Sequence, residues 1–158
     1  MAVVCVAGAS TLFLVPPRSP QDDSTAPRMA RLVPVPGTWA VTDGGSIIPV
    51  GLPEDPELEN GIPEGFEAKV LVAGPVDSPS NCHGWIFTDG RFWIPTECVD
   101  TILRDNHYLM VDDPAVGDLV VYRDDRGRPF HTGLVKATGD DDFVFVESKW
   151  GRYGVFWH

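Results

Sequence analysis

The sequence predicts an α+β domain in which a short helix bearing Cys82 packs on a small antiparallel sheet. Three observations lead there. Ten of the fifteen prolines fall between Pro16 and Pro63; proline fixes φ and removes a donor, so long helices and central strands are expected only beyond that stretch. Helical signals then surround Cys82 and run over 96–106. Short apolar runs separated by Gly/Asp turns fill the C-terminal third, the pattern of a meander or small barrel.

Residues 1–66 read as a Pro-rich arm with short strand pieces at 38–42 and 47–50, the turn pair Asp43-Gly44 and the acidic run Glu54, Asp55, Glu57, Glu59. Residues 67–158 read as the folded domain. It opens with a short strand at 68–73. Ser78 or Ser80 is placed to cap a helix that starts at Cys82 and runs towards Phe87. A second helix follows at 96–106: Thr96 caps it, Glu97 and Asp100 suit its N-terminal dipole, and Val99, Ile102 and Leu103 form one apolar face. Strands are expected at 118–123, 131–137, 143–149 and 152–157, with turns at 124–127 and 139–140.

One domain is what 158 residues allow, and 43% hydrophobic content with five Trp excludes a disordered chain. The net charge of -11 argues against nucleic acid, because phosphate binding needs clustered Lys and Arg. Cys5, Cys82 and Cys98 form neither an even disulfide set nor a CxxC pair, so reduced thiols are expected and no metal or cofactor. No run of eighteen apolar residues exists to span a membrane. The segment 1–15 has the apolar character of an export signal, but no basic residue precedes Arg18, and Ser10 and Thr11 interrupt it. The rival reading is a buried strand or docked arm, and the balance favours a cytoplasmic protein over an exported one.

The chemistry centres on Cys82. Thiolate is the nucleophilic form of cysteine, and a helix N-terminus favours an anion. His131 starts a strand directly after a turn, where an imidazole can face a cleft and accept the thiol proton. Such a base needs a third group to hold its tautomer. Glu147 is the candidate if the 131–137 and 143–149 strands pair around Gly139 so that the start of one lies beside the end of the other. The bland alternative is an exposed carboxylate neutralised by Lys149. His83 is a rival base, but the side chain next to a nucleophile on a helix is expected to point away from it.

Four segments in order, NCHGW with Cys82, VGDLVVYRD, HTGLVKA with His131 and FVFVESKWG with Glu147, resemble the cysteine, histidine-dependent amidohydrolase/peptidase (CHAP) family; NCHGW is also similar to the nucleophile segment of NlpC-type cell-wall peptidases. The resemblance covers about residues 81–151. It implies a papain-like fold and amide or peptide hydrolysis through a thioester acyl-enzyme on Cys82. On the same resemblance His131 and Glu147 are expected to complete the triad, and peptide or peptidoglycan-like chains are the expected substrates. Lys149 stands where CHAP enzymes often carry an amide. From the residues themselves, the backbone N–H of Cys82 is the expected first oxyanion donor, with Asn81 or His83 as a candidate second, and Trp150 is the candidate substrate wall. An intracellular protease or deamidase with the same machinery, or a catalytically weakened binding module, remains open.

Overall fold

The computed structural model describes residues 2–4, 32–54, 58–76, 79–140 and 143–158. Strands dominate. Among the described residues 40% are strand and 13% helix, which corrects the α+β, papain-like expectation: the described structure is mostly β. The cause lies in the helices, which stop early. Asn81 caps α1 (Cys82–Phe87), and Thr88 ends it by donating its hydroxyl to the Gly84 carbonyl at 2.7 Å. The stretch expected as one helix at 96–106 divides into a single 3-10 turn, Thr96–Cys98, and α2 (Val99–Asp105).

Among the described residues the main sheet has seven strands. In chain order its members are β1 (Ala2–Val4), β4 (Leu71–Gly74), β5 (Leu109–Met110), β6 (Leu119–Arg123), β7 (Pro129–Thr138), β8 (Val144–Lys149) and β9 (Val155–Trp157), arranged β4-β9-β8-β7-β6-β1-β5. The five strands from β4 to β6 are antiparallel, and β1 joins parallel to both β6 and β5. A separate hairpin pairs β2 (Leu32–Val41) with β3 (Ile47–Pro53) and absorbs Pro36 and Gly37 in a register shift between Pro34 and Trp39. The export-signal reading of 1–15, Cys5 and the Ser78 cap lie outside the described residues, apart from β1 itself.

Alternation along the strands gives the sheet two apolar faces. Leu119 and Val121 pack under α2 with Val99 and Leu103, joined by Ile86 and Phe87 of α1. Val120, Val135 and Val146 pack on the other face, with Tyr122 and Val144. The Pro-rich segment is joined to this body: Ile48 and Val50 of β3 are buried against Ile94 and Ile102. Gly51 exchanges backbone hydrogen bonds with Trp93 at 3.2 and 2.8 Å, and the Phe66 ring meets Trp150 edge-on at 5.0 Å.

Candidate active site

Asn81 sets the position of Cys82. Its side-chain oxygen accepts from the N–H of Gly84 at 2.8 Å and of Ile94 at 3.1 Å, and its amide donates to the Ile94 carbonyl at 2.7 Å. One side chain therefore caps α1 and binds it to the 92–94 strip that β3 holds. This work as cap and clamp corrects the expectation of Asn81 as an oxyanion donor. Gly84 is required at the same junction, since a Cβ there would lie 1.7 Å from the Phe92 carbonyl oxygen.

The Cys82 sulfur is buried against β7. Backbone N–H groups of Thr132, His83 and Cys82 and the Thr132 hydroxyl face it, yet burial outweighs them and pushes the thiol pKa up. The thiolate expected from a helix N-terminus is thus disfavoured at rest: six helical residues offer little dipole, and removal from water penalises the anion. His83 does not point away. Its Nδ1 lies 3.7 Å from Cys82 Sγ and 3.1 Å from Thr132 Oγ1, and its Nε2 lies 3.2 Å from Thr96 Oγ1. Thr96, expected as a helix cap, instead holds this imidazole. Burial pushes the His83 pKa down to about 4.

His131 precedes Thr132, and by strand alternation its ring takes the opposite side of β7. It pairs with Tyr122 of β6, and the two rings lie 5.4 Å apart. Its Nε2 is 2.9 Å from Ser148 Oγ, which is also 2.8 Å from His158 Nε2 and accepts from Trp150 Nε1 at 2.9 Å. The hydrogen bonds of the described residues leave His131 Nδ1 without a partner, and every fully buried side-chain nitrogen or oxygen among them has one; His131 Nδ1 therefore keeps contact with solvent. Burial, then the neighbouring His158 and His83, push the His131 pKa down to about 3.

Glu147 does not orient His131. Its cross-strand partner is Leu134, and its carboxylate accepts from Trp157 Nε1 at 2.5 Å and pairs with Lys136 at 3.3 Å. The register places Ser148, one residue later and on the other face, beside the imidazole. Lys149 neither supports the base nor neutralises Glu147: it is 1% exposed, and its ammonium donates to the Gly151 and Tyr153 carbonyls, fixing the turn before β9. Trp150 is half-buried and wedged among Phe66, Phe156 and His158, with ring centroids 5.0, 5.3 and 5.4 Å away. That makes it packing for the histidine cluster rather than a free substrate wall.

The structure therefore brings Cys82 against Thr132, one residue from His131, without a direct Cys82–His131 hydrogen bond. Thr96, Thr132, Ser148 and His158 are the site residues that sequence reasoning missed. Ser148 was legible in principle, since it shares a face with Val144 and Val146. Comparison with protein-family models, curated proteins and solved structures gives no match. Among the described residues no helix is long and apolar enough to cross a membrane.

Proposed function

We propose that the chain is a thiol-dependent amidase or peptidase in which Cys82 is the nucleophile and His131 the general base. One observation carries the reading: the only buried cysteine among the described residues lies against the β7 residue that follows His131, whose Nδ1 is open and whose Nε2 is anchored. The order of the NCHGW, VGDLVVYRD, HTGLVKA and FVFVESKWG segments, similar to CHAP enzymes, supports it.

In this mechanism the resting thiol and imidazoles are neutral. In this proposal substrate binding draws Sγ off the Thr132 hydroxyl and round the edge of β7, where the in-plane Thr132 N–H already faces it, to His131 Nδ1 on the other side, which takes the proton as sulfur attacks the carbonyl. The N–H of Cys82 faces the developing oxyanion. His131 returns the proton to the departing amine, and water then cleaves the thioester. A base with this duty must reach the leaving group. His131 Nδ1 meets that need, whereas both His83 nitrogens are engaged by threonines and the residue is 1% exposed.

A second reading is favoured by the 3.7 Å contact itself: His83 as base, with Thr96 holding its Nε2. Peptides, including peptidoglycan stem peptides, are the proposed substrate class. The test is release of new amino termini from such peptides by the wild type, Cys82→Ala, His131→Ala and His83→Gln. Loss of turnover in the first two with a small effect of the third supports the proposal. Activity that survives Cys82→Ala ends it, and a collapse confined to Cys82→Ala and His83→Gln selects the second reading.

A further inference from the structure

Ser148 has an unusual combination of neighbours. Its hydroxyl is fully buried and meets three nitrogens: Trp150 Nε1 at 2.9 Å, His131 Nε2 at 2.9 Å and His158 Nε2 at 2.8 Å. A hydroxyl has one proton to give and two lone pairs to receive with. The indole N–H is a donor only and takes one lone pair. One proton and one lone pair then remain for two imidazole nitrogens. One histidine must accept from Ser148 and the other must donate to it, so two neutral rings on this hydroxyl hold opposite tautomers.

We infer that Ser148 is the positioning residue of the site, passing its proton to His158 Nε2 and thereby holding His131 as the Nε2–H tautomer with Nδ1 bare. This deepens the proposed hydrolase reading, in which His131 Nδ1 must be able to accept a proton. The arrangement persists when His131 takes the thiol proton, because the imidazolium still donates through Nε2 to the same oxygen while Ser148 still donates to His158. His158 acts only as the acceptor that draws the hydroxyl proton away from His131. Gly133 lets the strands approach closely enough for this, since a Cβ on it would stand 3.1 Å from the Ser148 Cβ.

The test is long-range 1H–15N correlation of the imidazole rings at neutral pH, which reports tautomers without any need for turnover. The expected wild-type result is His131 protonated at Nε2 and His158 at Nδ1. In His158→Phe the hydroxyl loses its acceptor and gives its proton to His131, so His131 switches to the Nδ1–H form and turnover falls. Ser148→Ala releases the lock and gives His131 a mixture of tautomers. The half-exposed setting of His158 keeps the first variant informative if Ser148→Ala does not fold. Identical tautomers on the two wild-type rings, an Nδ1–H form of His131 there, or no switch in His158→Phe overturns the inference. Failure of the hydrolase reading looks different: the tautomers are as expected while peptide turnover is absent.

Discussion

Glu147 stands across the β7–β8 ladder from Leu134, three residues beyond His131, and an odd spacing on a strand puts the carboxylate and the imidazole on opposite faces. The carboxylate serves Trp157 and Lys136 instead. Glu147→Gln should therefore leave peptide turnover within about twofold of wild type, because the amide oxygen can still accept from Trp157 and only a partly exposed ion pair is lost. The stability loss should be about 0–1 kcal/mol, read from urea midpoints. A loss of turnover of a hundredfold or more would return Glu147 to the triad.

Close backbone approach at two glycines can be tested through stability alone. A Cβ at Gly133 would lie 2.5 Å from Val146 Cγ1 and 2.9 Å from the Glu147 carbonyl oxygen. Gly133→Ala should cost about 1–3 kcal/mol, as overpacking does, with a lower urea midpoint and an unchanged m-value. Gly84→Ala, aimed at a backbone oxygen at 1.7 Å, should be worse and fail to give a cooperative transition.

Stability should fall on acidification through a window set by the histidines. The folded pKa values of about 4 for His83 and about 3 for His131 lie below the ordinary 6.5. Unfolded chains therefore bind protons first as pH drops below 6.5, and folding loses free energy until the folded values are reached. Each ring contributes a slope of up to about 1.4 kcal/mol per pH unit, with no contribution above 7. Urea midpoints between pH 7.5 and 4.5 measure it. His131→Phe should flatten the curve, and a curve identical to wild type would contradict the burial assigned to this ring.

Thiol labelling should follow the same logic. Burial raises the Cys82 thiol and lowers both imidazoles, so no thiolate–imidazolium pair exists at rest. Iodoacetamide should modify Cys82 slowly at pH 6, with a rate that climbs only in the alkaline range. Peptide-level mass spectrometry separates it from Cys98. A fast plateau at pH 6 would show a preformed ion pair and a different mechanism.

The sequence made the strands legible because Gly/Asp turns and alternating Val, Phe and Ile leave little choice of element. The expected runs at 118–123, 131–137 and 143–149 reappear as β6, β7 and β8. Cys82 was visible as a chemistry-bearing residue at a helix start, and His131 as one near a strand start, although β7 begins two residues earlier, at Pro129. The third group was not, because it depends on register: a shift of one residue exchanges Glu147 for Ser148. The helix content was overestimated because Thr96 reads as a cap in sequence, whereas its hydroxyl is drawn to His83 by packing between distant segments. Asn81 was misassigned for the same reason, since its partners at Ile94 are thirteen residues away.

The central claim is that Cys82 carries an acyl group during turnover. Intact-protein mass spectrometry after rapid acid quench, with an activated peptide ester as substrate, tests it most directly. The account predicts a single acyl adduct that maps to Cys82, decays with water, and is absent in Cys82→Ala. An adduct of equal yield in Cys82→Ala, or peptide turnover by the wild type with no adduct at any quench time, would contradict it.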